Sequence, residues 1–408
     1  MLYSDFMPES RPGRTPSVPA PLLTAAGLAL GAAVALGFGR FSYALLLPPM
    51  RASLGWTYTQ AGGMNTANGA GYLLGALLAP LLIGQLGARP AFLASMLFTA
   101  LTLLVTALVT PFWALLALRG LTGLSGAVTF TAGGLLAAQA ASRAPARQAG
   151  AVLTTFYAGA SLGILLTGLG LPPLLARLGD AGWRSGWAVL GGVSLLALGA
   201  AWLASRGTGA RGGPVGPGVR AAQLRPLLRS LLAYACSGLG YVAYTTFSVT
   251  YLRSQGASTA QVALFWTLLG FAGLVAPLLW SRLMSRVWGG RTMGLLMTIM
   301  ALGAALPVLS AAPGVAFVSA LLFGATCLSV VASTTALARQ SLPPAVWGAG
   351  VATYTITFAA FQSLGPVLAG LLADGGAGGL RLGLGLSALV LLVGAGLAFS
   401  QRRAEPVD

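Results

Sequence analysis

Along the 408 residues, long apolar stretches alternate with short polar breaks. A helix needs about 20 mostly apolar residues to cross the hydrocarbon core of a bilayer. Twelve runs reach that length: 21–49, 59–84, 90–110, 112–139, 149–175, 186–205, 227–252, 260–284, 292–310, 314–338, 347–373 and 380–400. Several breaks between them are short and carry turn formers, as at Thr110-Pro111 and Ala312-Pro313-Gly314. The longest internal break, 206–226, is rich in Gly, Pro and Arg, and predicts a flexible linker between six helices and six. The polar, Pro-rich residues 1–20 predict a disordered tail, and the first apolar run is too long for a cleavable signal peptide. The pattern predicts an all-α membrane protein of twelve transmembrane helices. Its units are a tail at 1–20, a first half at 21–205, a linker at 206–226, a second half at 227–401 and a tail at 402–408.

The two halves share a pattern. Residues 145–163 read PARQAGAVLTTFYAGASLG, and residues 344–365 read PAVWGAGVATYTITFAAFQSLG. Both open the fifth helix of their half with Pro-Ala and close on Ser-Leu-Gly, about 200 residues apart. A parallel repeat of six helices is one of the architectures built for transport.

Composition agrees with the pattern. Hydrophobic residues make up 56% of the chain and charged residues 7%, against about 25% charged in soluble domains. The net charge of +17 comes from 23 arginines and no lysine, set in short loops rather than on a soluble basic face, which excludes a nucleic-acid partner. With an even number of spans and both termini in the cytoplasm, sixteen arginines fall inside and five outside (Arg51, Arg177, Arg184, Arg253 and Arg381). Trp56, Trp113, Trp183 and Trp187 flank the outer helix ends, as in an aromatic belt. Cys236 and Cys327 lie in apolar runs and predict no disulfide. The absence of His excludes His-based metal sites, and no metal or cofactor is expected.

Several motifs carry a family resemblance. The loop GQLGARPAF resembles the loop after helix 2 of the major facilitator superfamily (MFS). It keeps Gly87 and Arg89, while Gly84 and Gln85 stand where that motif has Asp and Arg. LALRGLTGLSG resembles the superfamily's helix-4 element through Arg119, Thr122 and Gly123. Gly150, Gly159 and Gly163 match the first spacings of the antiporter motif in helix 5, with Ile164 in place of its Pro. GFGRFSYALLLPPM (37–50), NGAGYLLGAL (68–77), YAGASLGI (157–164), GWRSGW (182–187) and FQSLGPVLAG (361–370) are similar to the YbfB/YjiJ-like branch. The resemblance spans both halves. It implies the MFS fold, solute transport by alternating access, and a gating role for the Gly87/Arg89 loop.

Arg40 and Arg119 are the two arginines deep inside apolar runs. Such residues cost about 2.5–3.5 kcal/mol on insertion scales and generally face a cavity. Each lies about eight residues, roughly 12 Å, from the outer end of its helix. In the resembled fold, helices 1, 4, 7 and 10 line the central cavity, so the pair could clamp one anion bidentately. Bracing of neighbouring backbones is the other reading. The six acids (Asp5, Glu9, Asp180, Asp374, Glu405 and Asp408) lie in tails, loops or a helix end, so no carboxylate faces the pair. Tyr43, Asn65, Asn68 and Tyr72, Tyr157, Tyr241, Tyr244 and Thr245, and Gln362 form polar stripes suited to line a cavity or to bond between helices.

These features point to a secondary or facilitative transporter of a small organic anion in a bacterial inner membrane. A proton or an exchanged anion would be its coupling partner, the bilayer its setting and the monomer its state. Efflux of neutral amphipathic compounds is the alternative within transport. A flux-free receptor lacks a signalling domain. An enzyme would lack the usual acid–base residues, since the chain has no His and no buried carboxylate.

Overall fold

The computed structural model describes residues 21–209, 221–287 and 290–402. The tail at 1–20, most of the linker and the residues beyond 402 lie outside these, and with them Asp5, Glu9, Glu405 and Asp408. Among the described residues there is no strand. The helices are α1 (Pro21–Leu54), α2 (Tyr58–Leu86), α3 (Ala88–Thr106), α4 (Phe112–Ser142), α5 (Ala146–Leu178), α6 (Trp183–Ala204), α7 (Leu228–Ser254), α8 (Thr259–Arg286), α9 (Arg291–Leu309), α10 (Pro313–Ser341), α11 (Pro344–Asp374) and α12 (Gly379–Phe399). α1 begins and α12 ends at what is called here the near face. The opposite end of the bundle is the far face.

All twelve except α7 belong to stretches apolar and long enough to span a bilayer, with α5 and α6 forming one such stretch of 59 residues that turns back at Gly179–Gly182. α7 is more polar because it is central. It is buried almost continuously from Ala233 to Tyr251, so its Tyr, Ser and Thr side chains meet other helices rather than lipid.

The first half packs α2 on α4, α3 on α4 and α6, and α1 on α5 and α6. The second half repeats this scheme: α8 on α10, α9 on α10 and α12, and α7 on α11 and α12. The halves meet along α2–α11, α5–α8 and α1–α7. Glycines permit the closest crossings. A Cβ on Gly71 would lie 1.9 Å from the Gly120 carbonyl oxygen, and one on Gly123 would lie 2.0 Å from that of Asn68.

Two helices depart from regularity, and both bear on the site. Residues Ala33–Phe41 of α1 form a π-helix, closed by the Ser42 amide on the Gly37 carbonyl at 3.0 Å. The predicted end of this helix at 49 gives way to Leu54. Pro48 and Pro49 lie inside this longer helix, among the buried Leu45, Leu46, Leu47 and Met50. α11 breaks at Ser363–Leu364, where Pro366 has no amide to return to Gln362.

The tryptophan belt is corrected. Trp113 is exposed, but Trp56, Trp183 and Trp187 are buried. Trp187 turns into the bundle because it has partners there: its indole N–H donates to Met50 Sδ at 3.3 Å, and its ring faces Arg119.

Candidate substrate site

Arg119 is 1% exposed and reaches from α4 towards α1 and α2. Its Nη1 donates to the Gly39 carbonyl at 2.6 Å, and its Nη2 to Asn65 Oδ1 at 3.2 Å. Its guanidinium lies 4.8 Å from the Tyr43 ring centroid and 5.5 Å from that of Trp187, a cation–π arrangement on two faces. Tyr43 is fixed in turn by donating to the Ala61 carbonyl at 2.7 Å. Asn68 Nδ2 donates to the Arg119 carbonyl at 3.1 Å. Asn65 Nδ2 donates to Thr246 Oγ1 of α7 at 2.7 Å, so the network crosses between the halves. Arg119 therefore holds the peptide carbonyl immediately before Arg40.

Arg40 is 7% exposed, in the last turn of the π-helix. Its Nη2 donates to Gln362 Oε1, at the break in α11. Its guanidinium lies 5.6 Å from the Tyr72 ring and 6.0 Å from the Tyr241 ring. Tyr241 stacks on Phe323 at 6.1 Å and meets Phe41 edge-on, which gives Arg40 an aromatic wall. The two irregular helices thus meet at one contact between a cation and a neutral amide. Gln362 Nε2 and Arg119 Nε are buried without a hydrogen-bond partner. A buried polar group left unpaired costs about 1–3 kcal/mol, and an uncompensated charge costs more. Among the described residues no carboxylate partners either arginine. Asp180 sits in the α5–α6 turn, and Asp374 caps α2.

The structure gathers Arg40, Arg119, Tyr43, Asn65, Asn68, Tyr72, Tyr241 and Gln362 around one seam. The remaining predicted residues lie elsewhere. The Tyr244 hydroxyl bonds Ser319 Oγ, which donates to the Gly303 carbonyl, so Tyr244 ties α7 to α10 and α9. Thr245 Oγ1 donates back to the Tyr241 carbonyl at 3.1 Å. Tyr157 is 51% exposed on the near-face side, packed on Phe130 and Phe156 and close to Arg339 of the other half. Gly87 ends α2 with φ at 88°, and Arg89 bonds the end of α6 at the near face.

Three further residues matter that the sequence stripes do not include: Thr246, Trp187 and Asp374. Thr246 lies about 100° round α7 from Thr245, a difference that only the facing Asn65 resolves. Asp374 Oδ1 and Oδ2 accept the Tyr58 and Thr59 amides at 2.7 and 2.8 Å, and Oδ2 also accepts the Thr59 hydroxyl at 2.6 Å. Several close contacts between the halves lie between the level of Arg40 and the far face. They include Gly62 against the Pro366 carbonyl, Gly370 against that of Tyr58, Gly270 against Leu165, and Trp266 donating to Thr167 Oγ1. The arrangement is closed at the far face.

Two six-helix halves meeting along a buried polar seam are the architecture of a multi-pass membrane transporter. A family model described as the uncharacterised MFS-type transporter YbfB matches residues 32–399, and the chain belongs to this family. The inner membrane transport protein YdhP of Escherichia coli (strain K12) is 27% identical over 307 residues, covering 74% of this chain and 77% of YdhP. Among solved structures, a bacterial homolog of the human lysosomal transporter Spinster, inward-facing and unoccupied, superposes with a TM-score of 0.71 at 16% identity, covering 94% of this chain and 97% of its own. The nucleoside transporter NupG gives 0.70 at 13% identity, over 93% and 100%.

Proposed function

We propose that the chain carries a small organic anion across the bacterial inner membrane by alternating access, with both termini in the cytoplasm and the near face therefore inward. One observation carries the substrate class. Among the described residues Arg40, buried between two aromatic rings, has only the neutral amide of Gln362 as hydrogen-bond partner, and the amide's own N–H group is unspent. A carboxylate there would accept from both and supply the missing charge. Arg119 positions the turn that presents Arg40, and its free Nε points to a second, weaker hold on the ligand. Tyr72 and Tyr241 flank the bound group. In the far-closed state the anion would enter from the near face past Tyr157 and Arg339. Its neutralisation of Arg40 would favour the opposite closure, with the halves rocking about this level. A proton carried on the substrate or a counter-anion would complete the cycle.

Purified protein in proteoliposomes tests this. A screen of mono- and dicarboxylates by thermal shift identifies a stabilising anion, and uptake of that anion is then measured. Arg40→Ala should abolish uptake and stabilisation together, whereas wild-type uptake by Arg40→Ala would remove the anion reading. The stacked wall of Tyr241, Phe323, Phe358 and Tyr234 favours one second reading, export of neutral planar amphipaths. Under that reading neutral drugs, not carboxylates, would stabilise the protein, and Arg40→Ala would retain the response.

A further inference from the structure

Away from the substrate path, α3 and α6 enclose an apolar groove of about 400 Å³ on the outside of the bundle, walled by Leu93 and Leu97 of α3 and Leu195, Leu198 and Trp202 of α6. Gly199 gives it depth, since a Cβ there would meet nothing within 4 Å. Both walls lead to cations at the near face, Arg89 on α3 and Arg206 in the turn that follows α6. Arg89 precedes Leu93 by one turn on α3, and Arg206 lies four residues beyond Trp202. Arg89 donates from Nε to Ser205 Oγ at 3.2 Å and from Nη2 to the Trp202 carbonyl at 3.3 Å. The Arg206 guanidinium lies over the Trp202 ring, 4.1 Å from its centroid. Arg143, from the end of α4, donates to the Gly207 carbonyl at 3.0 Å. Three guanidinium groups therefore converge on residues 202–207. The acids among the described residues, Asp180 and Asp374, both lie towards the far face.

We propose that this groove is a binding site for one anionic phospholipid, its acyl chain between α3 and α6 and its phosphate between Arg89 and Arg206. The groove supplies an apolar seat that inorganic phosphate cannot use. The arginines supply a charge that a zwitterionic headgroup satisfies less well, because its own cation opposes them. Arg is suited to phosphate by its planar fork of donors, and basic pockets between transmembrane helices favour acidic headgroups. Arg89, placed in the loop motif by sequence, here holds the end of α6 and faces the same headgroup position. The site is independent of the anion reading for Arg40.

The test uses full-length protein in nanodiscs of phosphatidylcholine doped with increasing phosphatidylglycerol, read as the lipid-dependent rise in melting temperature. Wild type should be stabilised by phosphatidylglycerol over phosphatidylcholine. At roughly fivefold per arginine, Arg206→Gln should raise the half-saturating mole fraction about fivefold, and the Arg89→Gln/Arg206→Gln double variant about twenty-fivefold. Arg206→Lys should restore most of the response. Arg381→Gln, at the far face, should change nothing. Arg89→Gln removes bonds to α6 and can lower stability by itself. The decisive quantity is therefore the difference between lipids, and Arg206, which stacks on Trp202 rather than bonding α6, supplies the clean variant. Equal stabilisation by both lipids, an unchanged increment in the double variant, or the same stabilisation by inorganic phosphate alone would each overturn the proposal.

Discussion

Loss of the Asp374 carboxylate should loosen the far face. The α2 helix starts with a Thr57–Gln60 capping box. Thr57 Oγ1 accepts the Gln60 amide at 3.1 Å, and the Thr57 carbonyl accepts Ala61 at 3.1 Å. The amides of Tyr58 and Thr59 remain, and both are taken by Asp374 from the other half. Every donor of that first turn is thus satisfied, two of them only while α2 and α11 touch. Removing a capping acceptor costs about 0.5–2 kcal/mol. The carboxylate is exposed, so the charge contribution at the helix N-terminus is screened, and about 1 kcal/mol is a fair figure. Under the proposed alternating access these bonds would be lost when the far face opens, so that energy becomes a shift of roughly fivefold in the ratio of far-open to far-closed molecules. Spin labels at Ala52 and Ala311, exposed far-face positions on opposite halves, would report the distance in a background lacking Cys236 and Cys327. Asp374→Ala should enlarge the long-distance population about fivefold in odds, and Thr59→Val should do so to a smaller extent. Identical distance distributions for wild type and Asp374→Ala would show that the carboxylate does not hold the face shut.

Gly62→Val places a Cβ 2.3 Å from the Pro366 carbonyl oxygen, across the seam, and should shift the same label pair apart while leaving the melting temperature near wild type. Gly71→Val makes an equivalent clash with Gly120 inside the first half and should instead lower the yield of folded protein, as seen by size-exclusion chromatography. Arg119→Met leaves the Gly39 carbonyl and Asn65 Oδ1 without their donor, at about 1–3 kcal/mol for each buried group, so its melting temperature should fall by several degrees. Gln362→Glu gives Arg40 a built-in counter-ion; it should keep or raise thermal stability yet abolish stabilisation by added carboxylates, and retained ligand response would contradict the role given to Arg40.

Helix positions were legible because apolar run length is a local property. α2 at 58–86 against 59–84, and α8 at 259–286 against 260–284, differ only at the capped ends. Thr57 and Ser258, 201 residues apart, each build a capping box with a Gln three residues on, so the repeat extends to helix starts that the composition alone does not advertise. The burial of Arg40 and Arg119 was legible because charge in an apolar run is rare. Their different surroundings were not. Arg119 meets a carbonyl from α1 and a side chain from α2, and Arg40 meets an amide 322 positions away, so the division depends on how whole helices cross. The π-helical stretch was not legible either, since Ala, Val, Leu, Gly and Phe around the single polar Arg40 do not distinguish a π-helical register from an α-helical one. Tyr244 shared a helical stripe with Tyr241 but turns towards Ser319, because a stripe on a helix buried all round names a face without naming its neighbour.

The π-helical stretch also gives α1 an unusual tolerance to changes in length. In an α-helix, deleting one residue rotates everything beyond it by about 100° and scrambles every facing contact. In residues 33–41 the chain already carries surplus length, held in i to i+5 bonds. Deleting one residue between Ala33 and Leu36 can be absorbed by tightening that stretch into ordinary α-helix, leaving Pro21–Ala32 below and Tyr43–Leu54 above in their packed positions. A single-residue deletion scan along α1 would then show a window of well-folded variants just before Arg40, with misfolded deletions on either side.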